Sequence, residues 1–483
     1  MEYEQVKTGK FTEFYWTAPN IEFKRILDTS YSNDPYFKTN SLQSRFLNQF
    51  IFNELGFKQK VSGEKSKHIE YMQRHELVDY CDVSEKGHMK WYPKGMLMRN
   101  LMLQYAKELA LDWGAFEMDN PILIKGDNNE VGKLMGEFHE RDYKVDGGRG
   151  IGFLRYASDP LGFPFMQNVK YSQEHPLKVY ESAYCFRNEQ DGEVSGLKRM
   201  RWFIMTDMHG IYQTNSEAKQ EFEYLTGQFA TLMNDTISKN RWVLGWELSA
   251  DHFNKEKDWL KSISDKIKVP SFFKIMPEMT HYYAFKNEFQ SITADGANIQ
   301  VSTVQWDVKN AERFNIGPTD DKGKKRSAEI ILHASSFGSI ERALCSILEN
   351  IAIDEQEGKV PEYPLWLAPT QIRLANVEGN HLPKATELSN YFESNKIRSD
   401  IDDRNHSVGK KVKNSERDWV PYILVVGDKE LSSDVLSVRI RNEKRNEEMS
   451  KESLVNLIRS QTEMLPYERL SLPKLLSKRP SFK

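Results

Sequence analysis

Apolar residues fall at helical spacing in a few long stretches. In SLQSRFLNQFIFNEL (41–55), Phe46, Phe50 and Leu55 line up near one face, and MLMRNLMLQYAKELALDWG (96–114) carries the same period and stops near Gly114, as an amphipathic helix does. A different texture follows. PLKVYESAYCFR (176–187), RMRWFIMTDMHGIY (199–212), YYAFKNEFQSI (282–292), IQVSTVQWDV (299–308) and AEIILHASS (328–336) read as strands. They are separated by Gly- and Asp-rich turns such as EQDGEVSG (189–196) and GPTDDKGKKR (317–326). Strands following one another through such turns predict an antiparallel sheet, and SIERALCSILENIAI (339–353) closes the region as a helix. The charged, Pro-punctuated DEQEGKVPEYP (354–364) reads as a linker. Beyond it, helices near 384–395 and 451–465 alternate with the strands VPYILVVGD (420–428) and SVRIRN (437–442). That alternation predicts a small α/β domain. The expected architecture is an N-terminal extension (1–65), an α+β domain built on an antiparallel sheet flanked by helices (66–357), and a small α/β domain (358–483). The extension reads as packing more readily than as a domain of its own.

Composition changes this picture little. At 483 residues with 39% hydrophobic and 12% aromatic positions, the chain can build several cores and is not a disordered polyelectrolyte. A net charge of −3 gives no global basic field, so any nucleic acid must be met by local patches. Cys81, Cys185 and Cys345 show no CxxC spacing and form no even disulfide framework. No apolar run approaches the ~20 residues that span a bilayer, and the polar start MEYEQVKTGK has no signal-peptide core. A cytoplasmic location without membrane contact is the expectation.

Chemistry concentrates in FRNEQDGEVSGLKRMRWFIMTDMHG (186–210). Residues two apart on a strand share a face, so Arg187 and Glu189 point together, as do Arg199, Phe203, Asp207 and His209 on the next strand. Read blandly, this is a hairpin with solvated cross-strand ion pairs. In HASSFGSIERAL (333–344), a strand ends at Gly338 and Ser339 serves as N-cap. Arg342 then falls in the first helical turn, a good corner for polyphosphate. Alone, an ordinary capped helix with a surface arginine explains it better.

Together the two segments resemble the second and third motifs of class II aminoacyl-tRNA synthetases, and within that class the threonyl family. The shared features are RNE (187–189), GLKRMRWF (196–203), TDMH (206–209) and His333 five residues before GSIER (338–342). GHMKWYPKGMLMRN (87–100) resembles the first-motif region, with Gly95 and Arg99 in place, and TVQWD (303–307) resembles a further family strand. The likeness covers roughly residues 68–470 and leans toward the archaeal branch.

The resemblance implies ATP with Mg2+, L-threonine and tRNA(Thr) as substrates. Arg187 would hold the α-phosphate, Glu189 the adenine amino group, Phe203 the ring, and Arg342 the γ-phosphate. Arg199 would assist the phosphates and Gln300 would lie near the α-phosphate or ribose. Asp207 would bind the substrate ammonium, with Tyr283 and Gln305 lining the same pocket. The family holds Zn2+ with one cysteine and two histidines. His209 and His333 take the histidine positions, but Asp159 stands where the cysteine is expected. Three readings stay open: zinc held as Asp/His/His, another divalent metal, or a site without metal.

The resemblance implies further that Asn405, Glu430 and Arg439 read anticodon bases in the last domain. Lys410, Lys411 and Lys413 are phosphate contacts or a solvated charge run. A C2 homodimer is expected through the first-motif helix. Serine differs from threonine by one methyl, worth roughly 1–3 kcal/mol. About 65 residues precede the catalytic region, which suggests that editing of seryl-tRNA falls to a separate protein. The alternatives are a class II synthetase for another small amino acid, or a synthetase-like paralogue that binds RNA or regulates.

Overall fold

The computed structural model describes residues 9–39, 41–56, 66–126, 131–132, 141–148, 150–172, 175–320 and 322–482. The chain divides into two compact units. One comprises Met1–Ser66, Lys86–His88 and Ala106–Asn350; the other comprises Lys67–Glu85, Met89–Tyr105 and Ile351–Lys483.

The first unit is built on a ten-stranded sheet. Its strands are β1 (Glu13–Ala18), β2 (Ile21–Ile26), β3 (Phe116–Glu117), β4 (Leu177–Phe186), β5 (Trp202–Tyr212), β6 (Trp242–Ser249), β7 (Ser271–Met276), β8 (Tyr283–Ile292), β9 (Asn298–Asp307) and β10 (Ile330–Ser339). Their order is β2-β1-β7-β6-β8-β9-β10-β5-β4-β3. All neighbours are antiparallel except β6–β7 and β3–β4, so the predicted antiparallel sheet with flanking helices is present. Every residue of β6, β7 and β10 is buried, so these strands face packed side chains on both sides. On one side Phe222, from the helix Asn215–Leu232, meets Trp246, Phe285 and Trp306 of the sheet and Trp259 of the helix Ala250–Ile267.

The N-terminal segment extends this sheet. Ser41 caps the helix Leu42–Glu54 by accepting from Ser44 N, and Leu47, Phe50 and Ile51 bury against Trp16 and Phe272. The strand pair β1–β2 inside residues 1–65 was not read from the sequence, although Pro19 and Asn20, the latter at φ 62°, make its turn; β1 pairs with β2 on one side and β7 on the other. Residues 1–8, 40 and 57–65 of the expected extension lie outside the described residues.

The second unit holds a five-stranded sheet of β11 (Ile372–Asn376), β12 (Ser399–Asp402), β13 (Tyr422–Val426), β14 (Val435–Ile440) and β15 (Arg445–Ser450), in the order β12-β11-β13-β14-β15. The first three strands are parallel and are joined through the helices Leu382–Ser394 and Val408–Arg417, the α/β pattern expected. The early segments join this unit through an aromatic cluster: Tyr71 meets the Trp419 ring edge-on at 4.9 Å and His75 lies 4.1 Å from it. At the start of the helix Pro93–Asp112, a Cβ on Gly95 would lie 2.1 Å from the Leu77 carbonyl, so only glycine permits that approach. Among the described residues, no helix is long and apolar enough to cross a membrane.

Candidate active site and metal centre

The β4–β5 hairpin brings the second motif's polar groups together. Arg187 follows the last residue of β4 and its amide donates to Arg201 O at 2.8 Å. Its guanidinium lies over the Phe203 ring, 5.1 Å from the centroid, and its Nε donates to Tyr156 O at 3.2 Å. It has no carboxylate partner among the described residues. Glu189 is buried and accepts from Arg141 and from Arg199, the latter at 2.9 Å. Arg199 also reaches Glu193 at 3.2 Å, which keeps it on the carboxylates and away from the cavity wall.

The second corner forms where β10 leaves the sheet. Met205 pairs with Ser339 and Asp207 with Ser335, so β10 carries two extra residues between those pairings. Gly338 absorbs the bend with φ +61°, and a Cβ there would lie 2.0 Å from Val301 O, a conformation and contact that glycine alone tolerates. Ser339 Oγ then accepts from Arg342 N at 3.2 Å, capping the helix Ile340–Gln356 as anticipated. The Arg342 guanidinium donates through Nε to Lys198 O at 3.0 Å. Burial, then the charges of Arg187 and Arg199, push its pKa down to about 10. It remains charged at neutral pH, in a place that disfavours a cation until an anion arrives.

These side chains line a cavity of about 650 Å3, together with Gln300, Gln305, Tyr282 and Tyr283. Gln300 and Gln305 stand an odd step apart and would face opposite sides of a regular strand. Two register pairs resolve this: Glu288 opposes Thr303 while Gln290 opposes Gln300, so β9 carries one extra residue between them. The bulge re-aims Gln300 to the side that Gln305 faces.

Behind this wall lies a cluster of imidazoles and carboxylates. His209 on β5 and His333 on β10 are register partners. Asp159 opens the helix Asp159–Asn168 and meets both. Its Oδ1 lies 3.0 Å from His333 Nδ1 and 3.4 Å from His209 Nε2, and the two ring nitrogens are 3.2 Å apart. All three residues are buried, and their ligand atoms fall within 4.8 Å of one another. Burial favours protonating Asp159, but hydrogen bonds from both histidines outweigh it and hold the carboxyl well below its usual range. Burial likewise opposes charge on His333, yet Asp159 and Asp307 push it up to about 10. Two imidazoles and a carboxylate with converging lone pairs suit a divalent metal. The orienting contact is also present, because His333 Nε2 lies 3.0 Å from Asp307 Oδ2, leaving Nδ1 to face the other donors. Tyr282 connects this cluster to the cavity by stacking on His333 at 5.0 Å and donating to Gln305 at 3.0 Å.

Asp207 is buried and accepts from Ser158 Oγ, and burial raises its pKa. Tyr283 donates to Glu247 at 3.1 Å. Glu247 belongs to a buried network that the sequence reading missed, with Lys274 at 2.9 Å and Lys286 at 3.2 Å. Asp307 was visible as the last residue of TVQWD, yet nothing in that string says that it orients a histidine from a neighbouring strand.

Comparison with known proteins fits this geometry. Residues 164–351 match the tRNA synthetase class II core domain (G, H, P, S and T), and residues 371–461 match the anticodon binding domain. The threonine–tRNA ligase of Methanobrevibacter smithii is 37% identical over 438 residues, 90% of this chain and 71% of the relative. The chain belongs to the threonine–tRNA ligase family. Its relative from Methanocaldococcus jannaschii is 33% identical over 492 residues, 99% of this chain and 77% of that one. Among solved structures, the RNA binding domain of threonyl-tRNA synthetase from Cryptosporidium parvum superimposes with a TM-score of 0.70 at 19% identity, covering 83% of this chain and 99% of that one. Prolyl-tRNA synthetase from the same organism gives 0.63 at 15% identity, covering 83% and 78%. Threonyl and prolyl enzymes thus share the fold, so the fold does not select the amino acid.

The three residues expected to read the anticodon are not placed alike. Asn405 is exposed beyond the C-terminal end of β12. Glu430 is buried, and its Oε2 accepts from Gly427 N at 2.9 Å, capping its own short helix Asp428–Ser432. Arg439 on β14 pairs with Glu416 at 2.6 Å and opposes Ile423 on β13. Lys411 is not on the surface: it is buried and donates to Asn376 O at 2.7 Å.

Proposed function

We propose that the chain activates L-threonine with ATP to the adenylate and transfers the threonyl group to tRNA(Thr). The observation that carries this reading is the pairing of two arginines without carboxylate partners among the described residues, Arg187 and Arg342, with the Asp159–His209–His333 cluster beside the same cavity.

Adenylate formation begins with attack of the threonine carboxylate on the α-phosphorus, where negative charge grows. Arg187 is placed to meet that charge, since main-chain carbonyl and aromatic contacts orient its guanidinium without neutralising it. Arg342 takes the γ-phosphate, assisted by the N-terminal end of its helix. Glu189 exchanges Arg141 for the adenine amino group, with Arg199 still anchoring the carboxylate, and Phe203 offers its ring to the base. Asp207, held by Ser158, binds the threonine ammonium, while Tyr283 and Gln305 close the amino-acid side. Gln300 reaches the α-phosphate or ribose. Mg2+ accompanies the nucleotide.

Asp159, His209 and His333 would hold a zinc ion, which when bound supplies a Lewis acid toward the amino and hydroxyl groups of threonine. Valine lacks that hydroxyl and is rejected strongly, whereas serine is separated by only about 1–3 kcal/mol. So small a difference calls for a separate protein that clears seryl-tRNA. Asn405 and Arg439 contact the anticodon loop, Glu430 shapes the turn beside them through Gly427, and two copies of the chain work as a homodimer.

The deciding experiment is amino-acid-dependent ATP–pyrophosphate exchange with all twenty amino acids, before and after chelation. Exchange with threonine, lost on chelation and restored by zinc, is the expected result. Exchange with a different amino acid overturns the assignment, and restoration only by another divalent ion overturns zinc.

A further inference from the structure

We infer that Lys10 is a substrate-facing residue of the active-site cavity, delivered there by the N-terminal segment to hold a phosphate of a reacting substrate. The inference rests on the functional reading above and assigns the segment a part in it.

The chain's course beside Lys10 is held firmly. Thr12 N donates to Ile275 O at 2.9 Å, and β1 pairs with β7 from Glu13 onward. Glu54 at the end of the segment's helix pairs with Lys274 at 2.7 Å. This anchoring sets Lys10 on the wall of the 650 Å3 cavity, on the side of Tyr283 and Lys286.

The lysine's charge is only loosely answered there, and burial lowers its pKa. The nearest carboxylate, Glu247, lies 3.9 Å away. Glu247 is already engaged by Lys274 at 2.9 Å, Lys286 at 3.2 Å and the Tyr283 hydroxyl at 3.1 Å. The Lys10 ammonium instead donates to His281 Nε2. That imidazole is kept neutral, because burial and then Lys10 and Lys286 push its pKa down to about 4. The side chains also differ in freedom: Lys274 is 6% exposed and Lys286 16%, whereas Lys10 is 34% exposed. Lys10 can therefore turn toward a ligand while the other two stay locked.

The cavity wall as a whole favours a polyanion. Lys10, Arg141, Arg187, Lys198, Lys286 and Arg342 face it against Glu189, Glu247 and Glu341. An ammonium on a flexible stem suits a phosphate as a point charge, without the fixed fork of an arginine. In this reaction the phosphate belongs either to ATP or to the 3′ end of the tRNA.

The test uses the full chain with Lys10→Gln, Lys10→Arg and, as a docking control, Glu54→Gln. Threonine-dependent ATP–pyrophosphate exchange, aminoacylation of a tRNA(Thr) transcript and thermal unfolding are measured on each. Lys10→Gln is expected to raise one KM roughly tenfold, the weight of one charge–phosphate contact. Lys10→Arg recovers most of the loss, and Lys10→Gln unfolds at the wild-type temperature. A raised KM for ATP assigns the nucleotide; a raised KM for tRNA with exchange intact assigns the tRNA 3′ end. Both KM values unchanged, or a loss that tracks lowered melting as in Glu54→Gln, overturns the inference. If the wild-type chain shows no threonine-dependent exchange, the functional reading fails instead. ATP and tRNA affinities of wild type and Lys10→Gln, measured by calorimetry, then still decide on Lys10.

Discussion

Two walls of one site treat charge in opposite ways. Along the motif corners, Arg187 and Arg342 are held by main-chain carbonyls and an aromatic face, and no carboxylate among the described residues pairs with them. In the cluster behind, Asp159, His209, His333 and Asp307 answer one another within 3.0–3.4 Å. The first wall leaves its charge uncompensated by the described carboxylates. The second uses protein carboxylates to fix ring orientation, so that its remaining lone pairs converge. Ground-state stability is given up in the first case, because half-buried cations close to one another repel, and is retained in the second.

The largest expected effect breaks the first wall. Arg187→Gln or Arg342→Gln should slow threonine-dependent exchange by about 10²–10³, of the order of removing one preorganised charge from a transition state. Thermal unfolding should stay level or rise, since a repulsive cation has gone. A marked fall in melting temperature would show that these arginines serve the fold. Next comes the second wall. Asp307→Asn should weaken metal retention by about 10–100-fold in a chelator competition, as loss of a ligand-orienting carboxylate typically does, with ATP affinity unchanged. Equal retention by wild type and variant would remove Asp307 from that role.

A gentler change sharpens the contrast. Asp159→Cys should raise zinc retention about tenfold over the parent, because thiolate is the softer donor, and should lower tolerance of oxygen-preferring divalent ions; metal content after dialysis reads both. The smallest effect concerns a buried imidazole packed against aromatic rings. His75 is 6% exposed and its Nε2 has no hydrogen-bond partner. Burial, and then the charge of Arg74, push its pKa down to about 3. It is neutral in the fold, while the unfolded chain takes up a proton below about 6.5. Its contribution is therefore complete above that pH and is lost as pH falls toward 3. His75→Gln should flatten the acid side of the urea-unfolding profile by about 1.4 kcal/mol per pH unit. An unchanged slope would mean that His75 is already protonated in the fold. Arg342 and His75 are both driven down by burial, but a guanidinium starts high enough to remain charged and an imidazole does not.

Legibility followed local chemistry. The hairpin, the Ser339 cap with Arg342 in the first turn, and the helix at 41–55 were readable, because motif spacing and capping act within a few residues. Strands β6 and β7 were not: buried on both faces, they lack the alternation that betrays a strand, and the long helices at 215–232 and 250–267 between the motifs went unread with them. Nor did the bulge that aligns Gln300 with Gln305 announce itself, since it is a property of two strands' register. Lys411 looked like one of a solvated run and is instead buried against Asn376; a charge run carries no record of which member turns inward.

By itself the sequence determined the class of fold, the order of the motifs, and which side chains are candidates for phosphate and metal chemistry, since those depend on residue type and short spacing. Only the tertiary structure decided that Asp159, 50 residues before His209 and 174 before His333, reaches both. It alone seated Asp307 behind His333 and Lys10 on the cavity wall. Such meetings are set by strand register and helix placement across long loops, where closing the chain costs entropy that only the assembled core repays.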